Sequence, residues 1–171
     1  MIQHTRVCKA FKFEKKGVTN NATFSGAAVL MQEGLFLVAK SVTKESENVA
    51  GAMFGLLGMM IASKLSSLAK MDYPYSVVTC NELPDQVREL QDFRNLKDKH
   101  RIVIVDRSEI LGYMSSFLGG FKLVCTGEDI VLVGSKKKLK SFFDEYGYSE
   151  YDPTKKAEDQ EPEAESQKVT F

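Results

Sequence analysis

The chain has no tryptophan, four prolines, two histidines and three cysteines in 171 residues, and no excess of either charge, since 23 basic residues balance 23 acidic ones. A neutral molecule has no overall field to draw in nucleic acid, so nucleic acid is not an expected partner and any electrostatic contact has to be local. Cys8, Cys80 and Cys125 are odd in number, far apart and set in apolar or strand-like stretches, which excludes a disulfide framework. The opening Met1-Ile-Gln-His-Thr-Arg6 lacks the apolar core and small-residue cleavage site of a signal peptide, which makes the cytoplasm the expected compartment. Catalytic and metal signatures are missing too. No Cys-x-x-Cys, His-Glu-x-x-His, Walker loop or Gly-x-Gly-x-x-Gly occurs, and Leu118-Gly-Gly-Phe121 is more simply a turn into a strand. His4 and His100 stand in terminal or charged surroundings, without the partner that a general base or nucleophile needs. The expectation is a protein without catalytic activity, cofactor or metal.

What is present fits one domain of ordinary size, long enough to bury a core without disulfides. Residues 3–14 alternate loosely, with Val7, Phe11 and Phe13 among Arg6, Lys9 and Lys12, as a half-exposed strand does. Strands over about 22–31 and 35–42 flank Gln32-Glu-Gly34, a hairpin with glycine in the turn. Short strand signals follow at Val77-Val78, and residues 84–98, with Val87, Leu90 and Phe93 spaced by three, suit a short helix or an ordered loop. Further strands are expected at 101–106, 110–117, 121–125 and 130–133, the last two forming a hairpin around Thr126-Gly-Glu-Asp129. After Ser135, a capping residue, Leu139, Phe142, Phe143 and Tyr146 fall on one helical face, and Gly147 ends the helix. From Ser149 onward seven acids face three lysines with almost no apolar residue until the end, so residues 149–171 are expected to form an acidic disordered tail. These short strands and a closing helix make an α+β, mainly β domain over residues 1–148.

One stretch departs from this pattern. Ser46 can cap a helix, Glu47 complements its positive end, and Asp72 and Pro74 mark an exit, so a helix is expected over 46–70. From Val49 to Ala62 that helix has no polar face, and a helix apolar all round must be buried. Its uncharged run, Asn48 to Ser63, is sixteen residues, against the roughly twenty needed to cross a bilayer. Gly51 and Gly55 lie one turn apart with Phe54 and Gly58 beside them, which lets another backbone approach closely. These four residues are the expected helix-packing or oligomer interface. Insertion of helix 46–70 at a bilayer interface is the alternative. A second, basic feature combines Lys15 and Lys16 in the first loop with Lys136, Lys137 and Lys138 at the start of the last helix, where cations oppose the helix dipole unless an anion is bound. An anionic head group is the candidate ligand of these five lysines, and a solvated charged face is the plainer reading.

The strand order, the stretch Gly26-Ala-Ala-Val-Leu-Met-Gln-Glu-Gly-Leu-Phe-Leu-Val38 and the run Arg101-Ile-Val-Ile-Val-Asp-Arg-Ser-Glu-Ile110 resemble the GRAM and bacterial pleckstrin-homology-like superfamily over about residues 5–148. The resemblance implies a curved antiparallel sheet or open barrel capped by a C-terminal helix. Two departures stand out. The tryptophan that pleckstrin-homology domains carry in the closing helix is replaced here by Phe142 or Phe143, and helix 46–70 is an insertion. The expected function is a binding or scaffolding module that holds a protein partner or a second copy of itself, with a membrane surface as the alternative.

Overall fold

The computed structural model describes residues 2–15, 22–44, 64–65, 67–116 and 120–154. Nine strands form one antiparallel sheet: β1 (His4–Glu14), β2 (Ala22–Met31), β3 (Gly34–Lys44), β4 (Lys64–Leu65), β5 (Ser76–Val78), β6 (Arg101–Asp106), β7 (Ile110–Ser116), β8 (Gly120–Cys125) and β9 (Asp129–Val133). Their order is β5-β6-β3-β2-β1-β9-β8-β7, with β4 beside β3, and the sheet stays open because β5 and β7 end it without pairing to each other. A single helical turn, α1 (Asp85–Arg88), and one amphipathic helix, α2 (Lys136–Glu145), complete the described elements beside three short 3-10 turns. The mainly β character expected from the sequence is present.

The burial pattern follows from side-chain alternation along the strands. On one face Phe11, Phe13, Phe24, Leu37, Val103, Phe121 and Leu132 build the larger core. Phe11 stacks on Phe24 with centroids 5.2 Å apart, and Phe13 meets both edge-on. The central strands β2, β3 and β6 are covered on their other face as well. Ala27, Val29, Met31, Val38 and Ile102 turn that way and meet Leu83, Val87 and Phe93 from the crossover between β5 and β6. That double burial explains why Ala27–Met31 and Ile102–Val105 are continuous apolar runs, whereas β1 alternates. The 84–98 segment is α1 followed by turns, and its three-residue spacing aims Val87 and Phe93 at the sheet while Leu90 packs beside them.

Helix α2 closes the larger core with Leu139, Phe143 and Tyr146 buried; Phe142 is half-buried at its margin. Ser135 takes the N-cap position without a side-chain cap bond, and its carbonyl accepts the Leu139 N–H at 2.9 Å. The C-terminus ends as expected, with Gly147 in the left-handed region (φ 78°) and the Tyr148 N–H donating to the Phe143 carbonyl at 2.9 Å. Arg107 donates to the Tyr146 carbonyl at 2.8 Å and lies over the Tyr148 ring, a cation where the helix dipole is negative. Tyr113 of β7 donates to Asp144 (2.5 Å) and accepts from Lys140 (2.7 Å), which ties the sheet to the helix.

Two expectations need correction. The chain is not helical as far as Lys70: Lys64 pairs with Lys44 and Leu65 with Thr43, and Leu68–Lys70 is a 3-10 turn. The edge of β3 takes those backbone groups, which a helix would have bonded internally. The rest of the expected helix, residues 46–63, lies outside the described residues. The tail also begins later than Ser149. The Tyr113 N–H donates to the Ser149 carbonyl at 3.1 Å and the Tyr151 N–H to the Tyr113 carbonyl at 2.8 Å, because β7 offers unpaired groups along its outer edge. Residues 155–171 lie outside the described residues.

Candidate functional site

The residue types that carry chemistry are built into the packing. All three cysteines are buried and free, and burial pushes the Cys125 thiol up to about 12 and raises that of Cys8. The His100 ring accepts the Lys97 N–H at 3.0 Å, closing a turn, and His4 contacts the Ile2 carbonyl at 3.2 Å. Among the described residues no group of three or more His, Cys, Asp or Glu could hold a metal ion. No described helix is long and apolar enough to cross a membrane.

The four described lysines of the expected anion site, Lys15, Lys136, Lys137 and Lys138, do not converge. Lys15 is exposed just beyond β1, whose Glu14 pairs with Asp129 at the start of β9. Lys136 follows the other end of β9, beyond Val133, which pairs with Ala10. The length of β9, roughly 16 Å at the usual rise per residue, separates the two groups. Lys137 and Lys138 are exposed on the first turn of α2 and Lys136 is half-buried there. Lys16 lies outside the described residues, as do Gly51, Phe54, Gly55 and Gly58.

The strand residues that bracket the apolar run are paired with each other. Ala22 pairs with Lys44, and Lys44 with Lys64 twenty positions later. Lys15 and the β8–β9 turn are at this same end of the sheet, since Glu14 lies opposite Asp129. Tyr75 reaches that turn and donates to the Glu128 carbonyl. Beside it, Tyr73 packs over Phe24 at 5.8 Å and donates to the Leu68 carbonyl at 2.8 Å.

A groove of about 400 Å³ opens at the opposite end, on the face covered by the β5–β6 crossover. Met31 of β2, Phe36 of β3 and Ile104 of β6 form its floor, and Leu83, Pro84 and Val87 its wall. Ile2 and Val78 border it, and its only ionisable lining residues are Glu33 and Glu82. The Glu82 carboxylate accepts from the Thr79 N–H at 2.6 Å and from the Thr79 hydroxyl at 2.7 Å, bonds that hold it below the usual carboxylate range. Sequence reading missed this groove because its residues come from five separate segments. The available signal was the lack of polar alternation in β2, β3 and β6 together with the apolar spacing of Val87, Leu90 and Phe93.

No family model matches this chain, and neither a curated protein nor a solved structure matches it.

Proposed function

We propose that the chain is a non-catalytic binding module of the pleckstrin-homology-like type that engages a protein partner, a second copy of itself included, through residues 46–63. The observation that carries this reading is the pairing of Lys44 with Lys64, the two strand residues that bracket the sixteen-residue uncharged run Asn48 to Ser63. A run with no polar face does not stay in water on a monomer. The fold part of the proposal rests on the order β6-β3-β2-β1-β9-β8-β7, a meander of four strands and a second of three joined through β1 and β9 and closed by a final helix. Phe143, fully buried in that helix, occupies the place of the family's tryptophan.

A membrane surface is the second reading. It is favoured by Lys64, which follows the run directly, with Lys15 at the same end of the sheet, since cations beside an apolar segment suit an anionic interface. Gly55→Leu separates the two. On the protein-contact reading this variant dissociates an oligomer or lowers stability by about 1–3 kcal/mol through overpacking, measured by light scattering after size exclusion and by thermal melting. If both match the wild type while salt-resistant flotation with anionic liposomes is lost in a Leu56→Glu/Leu57→Glu variant, the membrane reading replaces it.

A further inference from the structure

The groove between the crossover and the sheet is a second surface, at the opposite end of the sheet from the Lys44–Lys64 pair. We propose that it receives an extended peptide segment of another protein, carrying one bulky apolar side chain beside a lysine or arginine. At about 400 Å³ it lies at the small end of the roughly 300–1,000 Å³ common for ligand clefts, a volume suited to an anchor side chain and its neighbour. Apolar side chains from three strands and one wall line it, and the only charges among them are the carboxylates of Glu33 and Glu82. Asp106, which pairs with Gly34 beyond Glu33, adds a third acid at that end of the sheet. A cation beside the anchor complements this rim, and an acidic segment is repelled by it.

The extended form of the ligand follows from the neighbouring strand. β5 is the last strand of the sheet, and no described strand pairs with its outer side. Val78 lines the groove while Val77 is 41% exposed beside it. A peptide laid along that edge gains main-chain hydrogen bonds and directs alternate side chains into the groove. This chain's own C-terminal segment is the poorer occupant, because Glu158, Asp159, Glu161, Glu163 and Glu165 would be drawn past the acidic rim.

The test is fluorescence anisotropy of the full chain with two labelled pentapeptide sets, blocked at both ends. Each has leucine, phenylalanine or methionine at the centre; one set carries arginine beside it and the other glutamate. The arginine set is expected to bind more tightly, and exposed Glu33→Lys to weaken it about fivefold or more. Hydrogen exchange should slow at Val77 and Val78 when the peptide is bound. Equal binding of both sets, no binding by either, or an unchanged affinity in Glu33→Lys overturns the proposal. Binding that emerges only after removal of residues 155–171 overturns it in favour of the chain's own tail.

Discussion

At Gly26 an added methyl carbon would lie 1.8 Å from the Val38 carbonyl oxygen, where the β2–β3 register shifts between Ser25 and Gly26. The strands approach too closely there for any side chain. Gly26→Ala is expected to lower stability by about 1–3 kcal/mol, as overpacking against a backbone does, with chemical denaturation as the measurement. In α2 the two adjacent phenylalanines differ sharply. Phe143 is fully buried against Phe121 and Tyr148, while Phe142 lies at the core margin. Phe143→Ala should cost about 3–5 kcal/mol, and Phe142→Ala clearly less. Equal losses would mean that the helix is rotated from the orientation described. Cys125 gives a pH dependence. Burial first, and then the Cys125 thiol, raise the Tyr75 hydroxyl, just as burial raises that thiol. An unfolded chain releases a thiol proton near about pH 8.5 and a tyrosine proton near about pH 10. The folded chain therefore holds more protons than the unfolded one above that point. The stability contributed by the neutral thiol is complete below about pH 8 and lost as the pH rises toward about 12. Thermal melts should shift downward through this window, less steeply in Cys125→Ala. A flat profile up to about pH 11 would show that the folded thiol titrates like a free one.

The elements divide into those that complete the cores and those that only attach. The crossover between β5 and β6 belongs to the first group, because Phe93 is fully buried and meets Phe36 edge-on at 6.1 Å. Phe93→Ala should cost about 3–5 kcal/mol and raise hydrogen exchange in Leu83 to Leu90, whose contacts with the sheet it anchors. The C-terminal segment divides at a definite place. Ser149–Tyr151 bonds to β7 through Tyr113, whereas residues 155–171 carry many charges, one proline and few apolar residues, a composition little suited to a core. A chain ending at Thr154 should keep the wild-type melting temperature, while one ending at Tyr148 should lose stability by exposing the β7 edge. Equal melts for the two truncations would assign the Ser149–Tyr151 pairing no energetic role.

Across the whole molecule the groove and the Lys44–Lys64 pair lie at opposite ends of one open sheet. Lys44 and Lys64, which bracket the apolar run, share a single register position. The groove lies on the doubly covered part of the sheet, where Phe36 and Ile104 are paired on both sides and Met31 pairs with His4. Binding at one end is therefore expected to leave the other unaltered. In the double variant Leu56→Glu/Leu57→Glu, peptide affinity at the groove should equal that of the wild type. A large change would show that the two ends are coupled through the central strands.

The sequence by itself determined the elements whose signals are local: the β2–β3 hairpin at Gly34, the β8–β9 turn at Thr126–Glu128, and α2 with its inward face, of which Leu139, Phe143 and Tyr146 are buried while Phe142, expected with them, stays at the margin. Side-chain periodicity and glycine position are properties of a few adjacent residues, so they survive without knowledge of the fold. Only tertiary structure decided what lies far apart in sequence. Pairing with Thr43 and Lys44 makes Lys64–Leu65 a strand despite helical spacing, and β9 divides the lysines of the expected anion site between its two ends. The groove, too, exists only where Ile2, Met31, Phe36, Val78 and Ile104 are assembled. Long-range pairing sets these outcomes, because a backbone group bonded to a distant strand is no longer free to follow its local preference.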